Sequence, residues 1–230
     1  MTTLTQPTVS VLLDRLFAEA DALENSRRRE RTTMSPERRA ADRADYRQFY
    51  ARMKDQPLPV SPETGRLLYL LARSSRARTI IEFGTSFGIS TLHLAAALRD
   101  NGGGQLIGSE FEPSKIVRAR ANLAAGGLSD LVEIREGDAL ETLARDLPDA
   151  IDFVLLDGAK NLYPAILSLL ESRLRDGALI VADNADSSPE YLACVRSAAN
   201  GYLSVPFGDD VELSMRLAVA ARGNGASTAP

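Results

Sequence analysis

The feature that most constrains this chain is an alternation that starts near residue 78. Short apolar runs, each about one strand long, are separated by segments with helical spacing. RTIIEF at 78–83 precedes a helical Gly88–Leu98, QLIGSE at 105–110 precedes Pro113–Ala125, and VEIRE at 132–136 precedes a short Leu140–Arg145. IDFVLLD at 151–157 leads into a helix face traced by Leu162, Ala165, Ile166, Leu169 and Leu170. GALIVAD at 177–183 is followed by a helix over 188–198, then by YLSVPF and ELSMRLAVA as two closing strands. Strands that read as near-continuous apolar runs are buried on both faces, and helices between them serve as crossovers. The expectation is an α/β fold built on a parallel sheet covered on both sides.

Ahead of the alternation lies material of another kind. Val9, Leu12, Leu13, Leu16, Phe17, Ala20 and Leu23 recur at three- and four-residue spacing, which predicts an amphipathic helix over 8–26. NSRRRERTTM breaks that pattern, and Ser35-Pro36 reads as a cap opening a second, polar helix to about Met53. The arginines at 27–31 read as part of a solvated, charge-mixed face, since acidic residues nearly balance basic ones over 1–60. The proline-rich loop DQPLPVSPETG then separates a helical extension, residues 1–57, from a main domain over 58–220, with Thr64–Arg73 as its first helix and 221–230 as a disordered tail.

Composition excludes several classes. A net charge of −4 and a pI of about 5.2 argue against a nucleic-acid binder. The longest apolar runs fall short of the roughly 18 residues needed to cross a bilayer, so no membrane partner is expected. A single cysteine, Cys194, allows neither an internal disulfide nor a cysteine-built metal site. No basic start followed by an apolar core opens the chain, so a cytoplasmic protein is expected. Of 27 basic residues only Lys54, Lys115 and Lys160 are lysine, which makes each lysine more informative than usual.

Open α/β sheets bind ligands beyond the carboxyl ends of their strands. The first such end is IIEFGTSFGIS, where Gly84 and Gly88 bracket a turn into a helix. Glycine permits close backbone approach, and a helix start offers free N–H groups to an anion. The spacing is not the G-x-G-x-x-G of dinucleotide sites. Glu82, just before the turn, suits a cationic ligand group such as an ammonium. Read alone, the segment is equally well a plain strand-to-helix turn. Glu110 ends the second strand, 26 residues after Gly84, where an acid commonly accepts from ribose hydroxyls. Asp138 ends the third unit and could contact an adenine amino group or merely cap a helix.

Asp157 and Asp183 close two strands expected to be neighbours, and Asn184 follows directly. Two carboxylates and an amide oxygen are a hard-oxygen set suited to Mg²⁺, although strand-terminal aspartates also cap helices. Lys160 lies three residues after Asp157, at a helix start where an ammonium is disfavoured. A lysine beside a cation loses its proton more readily, whereas arginine keeps its own. His93, the one histidine, sits among LHLAAAL and reads as a packed side chain.

Taken together, ExGxxxGxS at Glu82, Gly84, Gly88 and Ser90, the acid at Glu110, DxxKxxY at Asp157, Lys160 and Tyr163, and the pair Asp183-Asn184 resemble the cation-dependent class I O-methyltransferases, the catechol and caffeoyl-CoA O-methyltransferase family. The resemblance spans about residues 58–218. It implies a Rossmann-like doubly wound sheet of seven strands, the last antiparallel, in a homodimer. It implies S-adenosylmethionine bound by Val60, Glu82, Gly84, Gly88, Ser90, Glu110, Asp138, Ala139 and Asp157. It also implies a divalent cation, Mg²⁺ above others, on Asp157, Asp183 and Asn184, with Lys160 as general base and a small acceptor bearing vicinal oxygens. The chain departs from the animal catechol enzymes in having Gly158 and Ala159, not bulky residues, inside DxxK, and Asp209 and Asp210 are loose matches for a late acceptor-contacting acid. The rival readings are a metal-independent N- or carboxyl-methyltransferase, a nicotinamide-dependent oxidoreductase, and a non-catalytic adenosyl-binding regulator.

Overall fold

The structure, a computed structural model, describes residues 1–32, 51–208 and 210–218. Most of the polar helix expected from Ser35, together with Asp209 and the tail over 221–230, lies outside these residues.

Seven strands form one sheet in the order β3-β2-β1-β4-β5-β7-β6. They are β1 (Thr79–Phe83), β2 (Gln105–Glu110), β3 (Val132–Glu136), β4 (Ile151–Leu156), β5 (Leu174–Ala182), β6 (Tyr202–Phe207) and β7 (Val211–Arg216). The first five run parallel, and β7 is antiparallel to both β5 and β6. The strand order reverses at β1/β4, so the ends of β1, β2 and β4 open on one crevice.

Successive residues of a strand face opposite sides, and this sheet has a core on each. Ile80, Phe153, Leu155 and Val181 point to one side. There they pack against α1 (Pro7–Thr32), α2 (Pro62–Ser74), α3 (Ile89–Asp100) and α4 (Pro113–Ala125), through residues such as Leu12, Leu68, Leu94 and Ile116. Ile81, Val154, Leu156 and Ile180 point to the other side. They meet Ala139 on α5 (Ala139–Thr142), Ile166 and Leu170 on α6 (Tyr163–Leu170), and Tyr191 and Val195 on α7 (Pro189–Val195). No helix among the described residues is long and apolar enough to cross a membrane.

Local chemistry sets the helix starts. Ser61 accepts from the Thr64 amide ahead of Pro62, and Glu112 accepts from the Ser114 amide ahead of Pro113. The extension is fastened through Asp100, which accepts from the Thr3 amide at 3.0 Å, the Thr3 hydroxyl at 2.6 Å and the Tyr69 hydroxyl at 2.7 Å.

Several boundaries differ from the sequence expectation: the closing strand ELSMRLAVA stops at Arg216, and the helix expected over 188–198 spans only Pro189–Val195. The first helix does not stop where its apolar stripe ends but runs to Thr32, because arginine and glutamate have high intrinsic helix propensity. The helix after β3 is only Ala139–Thr142. β5 begins at Leu174, three residues before Gly177, and Leu174 pairs with Ile151 across the irregular start of the ladder.

Candidate active site

The glycine turn is built by close approach. Gly84 (φ +98°) lies so near β4 that a Cβ there would fall 2.6 Å from the Asp157 carbonyl oxygen. The amides of Gly84 and Thr85 both donate to the Ser109 carbonyl, binding the turn to β2. Gly88 (φ +82°) takes the left-handed conformation that opens α3.

Glu110 is held at the end of β2 by backbone donors. Its Oε2 accepts from the Ser86 amide at 2.7 Å, and its Oε1 accepts from Phe111 and Glu112, both at 2.9 Å. A carboxylate has about four acceptor positions, so one remains on Oε2 for a hydroxyl. Between Glu110 and Asp157 runs a cleft lined by Gly84, Ser86, Ser109, Lys115, Asp138 and Ala139 among others. The Ser109 hydroxyl in this cleft is buried and has no hydrogen-bond partner among the described residues. Such an orphan asks for a ligand or water. Asp138 both lines the cleft and caps α5, accepting from the Leu140 amide at 2.9 Å. The two roles left open by the sequence are therefore compatible.

Glu82, Gly88, Ser90 and Val60 are not among the residues that line this cleft. Glu82 is fully buried beneath the turn, where its carboxylate accepts from Thr85, Ser90 and Thr91 at 3.0, 2.7 and 2.6 Å. Burial raises its pKa to about 7 against the pull of those hydroxyls. Ser90 thus spends its hydroxyl on Glu82, and both shape the turn from below. Val60 is buried in the core of the α1 side and borders a second cavity.

That second cavity, about 570 Å³, is lined by Asp157, Lys160, Asp183, Asn184 and Asp210 on the sheet side and by Phe17, Asp21 and Glu24 of α1 on the other. Asp157 and Leu58 border both spaces. β4 and β5 are neighbours as expected, with Leu156 paired to Ala182. The Tyr163 hydroxyl lies 2.8 Å from the carbonyls of both Leu156 and Asp183 and ties the two strand ends together. Lys160 Nζ donates to Asp157 Oδ1 at 2.9 Å.

Burial raises the pKa of Asp157, opposed by Lys160, and raises that of Asp183 to about 7, helped by the neighbouring Asp157 charge. Two buried carboxylates that repel each other are a pair that a cation would stabilise. The Asn184 amide nitrogen donates to Asp210 at 2.8 Å, which leaves its oxygen as the atom free to face a cation. Among the described residues no group of three or more His, Cys, Asp or Glu side chains could hold a metal. The oxygens brought together at this point are those of the two aspartates and one amide, a hard-oxygen set of the type that suits Mg²⁺.

A further departure has a steric cause. A Cβ on Gly158 would fall 2.5 Å from the Phe83 ring, so the space that a larger residue would need is already filled. Sequence reasoning missed Lys115, Ser109 and Leu58. Only Lys115 left a signal, the scarcity of lysine.

Residues 81–185, which hold both strand-end clusters, match the family model described as a methyltransferase domain. Over that stretch the chain resembles a methyltransferase domain. It is 36% identical over 130 residues to a catechol O-methyltransferase of Niastella koreensis, covering 55% of this chain and 58% of that one. It is 35% identical over 127 residues to a catechol O-methyltransferase of Mycobacterium tuberculosis, covering 55% and 57%. The chain therefore spans under three fifths of the length of these curated relatives. The O-methyltransferase TomG of Streptomyces achromogenes, solved in complex with SAM, superposes with a TM-score of 0.61 at 28% identity, covering 78% of this chain and 88% of that one. The resemblance to O-methyltransferases and the seven-stranded methyltransferase fold both hold.

Proposed function

We propose that this protein transfers a methyl group from S-adenosylmethionine to an oxygen of a small acceptor with vicinal oxygens, catechol-like, with a divalent cation, Mg²⁺ above others, at the acceptor end. The observation that carries the reading is the pair of adjoining spaces that share Asp157. One has a ribose-type acid at Glu110 and a close-approach glycine turn, and the other has paired buried carboxylates beside a lysine.

In this reading Glu110 accepts from a ribose hydroxyl, Asp138 and Ala139 border the adenine, and the Gly84 turn lets the amino-acid end lie against backbone. Glu82, Gly88 and Ser90 act by holding that turn. Val60 supports the loop whose Leu58 borders both spaces. Asp157, Asp183 and Asn184 would hold the cation. When bound, that cation would lower the pKa of an acceptor hydroxyl, and S-adenosylmethionine would supply an electrophilic sulfonium methyl. Lys160, positioned by Asp157, would take the acceptor's proton at Nζ in its neutral form, which a cation beside it would favour. The chain's remaining contribution is alignment of donor and acceptor across the Asp157 boundary, an effect that can reach about 7–11 kcal/mol in favourable cases.

Titration calorimetry tests the cofactor half. S-adenosylhomocysteine should bind and NAD should not, and Glu110→Ala should weaken the former about tenfold or more, as expected for a lost charge-assisted hydrogen bond. NAD binding in preference to S-adenosylhomocysteine would return the oxidoreductase reading.

A further inference from the structure

Lys115 is one of only three lysines in a chain with 27 basic residues, and it is buried to 3% exposure on the first turn of α4. Burying an ammonium is costly, so such a group marks either a functional site or a structural network. Its Nζ lies 3.3 Å from the Ser86 hydroxyl, in the glycine turn, and 6.0 Å from the centre of the Phe87 ring. Ser86 in turn donates its hydroxyl proton to the Pro57 carbonyl, so its lone pairs face the ammonium. The charge of Lys115 also favours the ionised form of Asp157, which places it within electrostatic reach of the opposite wall.

The cleft is otherwise acidic. Glu110, Glu112, Asp138 and Asp157 line it, and Lys115 is the one cationic side chain among the described residues that do so. An adenosyl amino acid brings one anionic group, the α-carboxylate, alongside its ammonium, sulfonium and ribose hydroxyls. Acids suit the other groups and repel the carboxylate, which needs a donor with positive charge. The start of α3 supplies backbone N–H groups, but among the described residues that line the cleft a full positive charge comes from Lys115 alone.

We infer that Lys115 binds the α-carboxylate of the methyl donor, its ammonium held in place by the Ser86 hydroxyl. The inference rests on the cofactor reading above and assigns a residue that its motifs do not include. Lys115 is then a selector for ligands that carry the amino-acid moiety.

The test compares two ligands that share adenosine and a thioether but differ in the carboxylate: S-adenosylhomocysteine, which has it, and 5′-methylthioadenosine, which does not. Both are titrated calorimetrically into the wild type, Lys115→Met and Lys115→Arg, with thermal unfolding recorded for each. Lys115→Met should lose about 10–100-fold in affinity for S-adenosylhomocysteine, the range of a charge-assisted hydrogen bond. Its affinity for 5′-methylthioadenosine should change by less than about threefold, since no partner of that ligand is removed. Lys115→Arg should recover part of the loss for S-adenosylhomocysteine alone. Equal losses for both ligands would make Lys115 a support of the turn and overturn the inference, as would an unchanged S-adenosylhomocysteine affinity. Wild-type binding of both ligands stands as a separate result, so a failure of the cofactor reading is distinguishable from a failure of the Lys115 assignment.

Discussion

Gly84→Ala puts the proposed architecture under its sharpest strain. Two costs add at this position. The backbone sits at φ +98°, a conformation that costs an L-residue about 1–2 kcal/mol. The new methyl group also meets the Asp157 carbonyl oxygen at 2.6 Å and the Gly158 nitrogen at 2.7 Å. Those are backbone atoms just past the end of β4, tied to β1 by the Asp157 amide donating to the Phe83 carbonyl, so they cannot rotate aside, and overpacking of this kind costs about 1–3 kcal/mol. The sum is about 2–5 kcal/mol of folding stability. Gly103→Ala is the control, because Gly103 has a similar φ of +102° with nothing within 4 Å of its added Cβ. It should cost only the conformational part, about 1–2 kcal/mol. Urea unfolding of both variants measures the difference. Calorimetry of Gly84→Ala should also show weaker S-adenosylhomocysteine binding, because the added methyl group displaces Asp157, which lines the cleft. Equal stability losses for the two variants would show that the close approach contributes nothing, and the reasoning would fail.

Other perturbations separate the proposed roles. Asp183→Ala removes a charge and an oxygen together, so turnover should lose its response to added Mg²⁺ while circular dichroism stays that of the folded protein. Lys160→Arg keeps the positive charge but cannot give up its proton at useful pH. Turnover should fall by about 10²–10⁴-fold with S-adenosylhomocysteine affinity little changed; near-normal turnover would reduce Lys160 to a partner of Asp157. His93 is buried with its Nδ1 2.8 Å from the Ile89 carbonyl, and burial lowers its pKa to about 4. The unfolded chain therefore takes up this proton first, and the fold loses stability as pH falls from about 6.5 toward 4. The full swing is about 3 kcal/mol. His93→Gln should narrow its stability gap to the wild type by up to that amount over the same window, and a constant gap would show that His93 does not titrate on unfolding.

The sequence was most legible where side-chain period and end signals agreed. QLIGSE, VEIRE and YLSVPF became β2, β3 and β6 with the expected ends, and Glu112-Pro113 opened α4 where a cap and a proline coincide. Legibility failed where the answer depended on tertiary reach. The arginines at 27–31 carry no apolar stripe, so nothing in the pattern showed that the helix continues through them to Thr32. Gly177 (φ +75°) reads as a strand start, yet the ladder already begins at Leu174. The motif residues were visible, but not the side of the turn they serve. Glu82 is three residues from Thr85 and nine from Thr91, and only the fold turns those hydroxyls inward to enclose it. Lys115 reaches the cleft by the length of its stem, a distance that spacing along the chain does not encode.

Methyl transfer itself gives the most direct test of the central claim. The chain is incubated with methyl-labelled S-adenosylmethionine and a panel of catechols and their mono-hydroxyl analogues, with chelator, without it, and with Mg²⁺ restored after chelation. Label is expected on an oxygen of the vicinal acceptors only, lost with chelator and regained with Mg²⁺. Transfer that is unaffected by chelator, or equal on acceptors lacking the second oxygen, would contradict it.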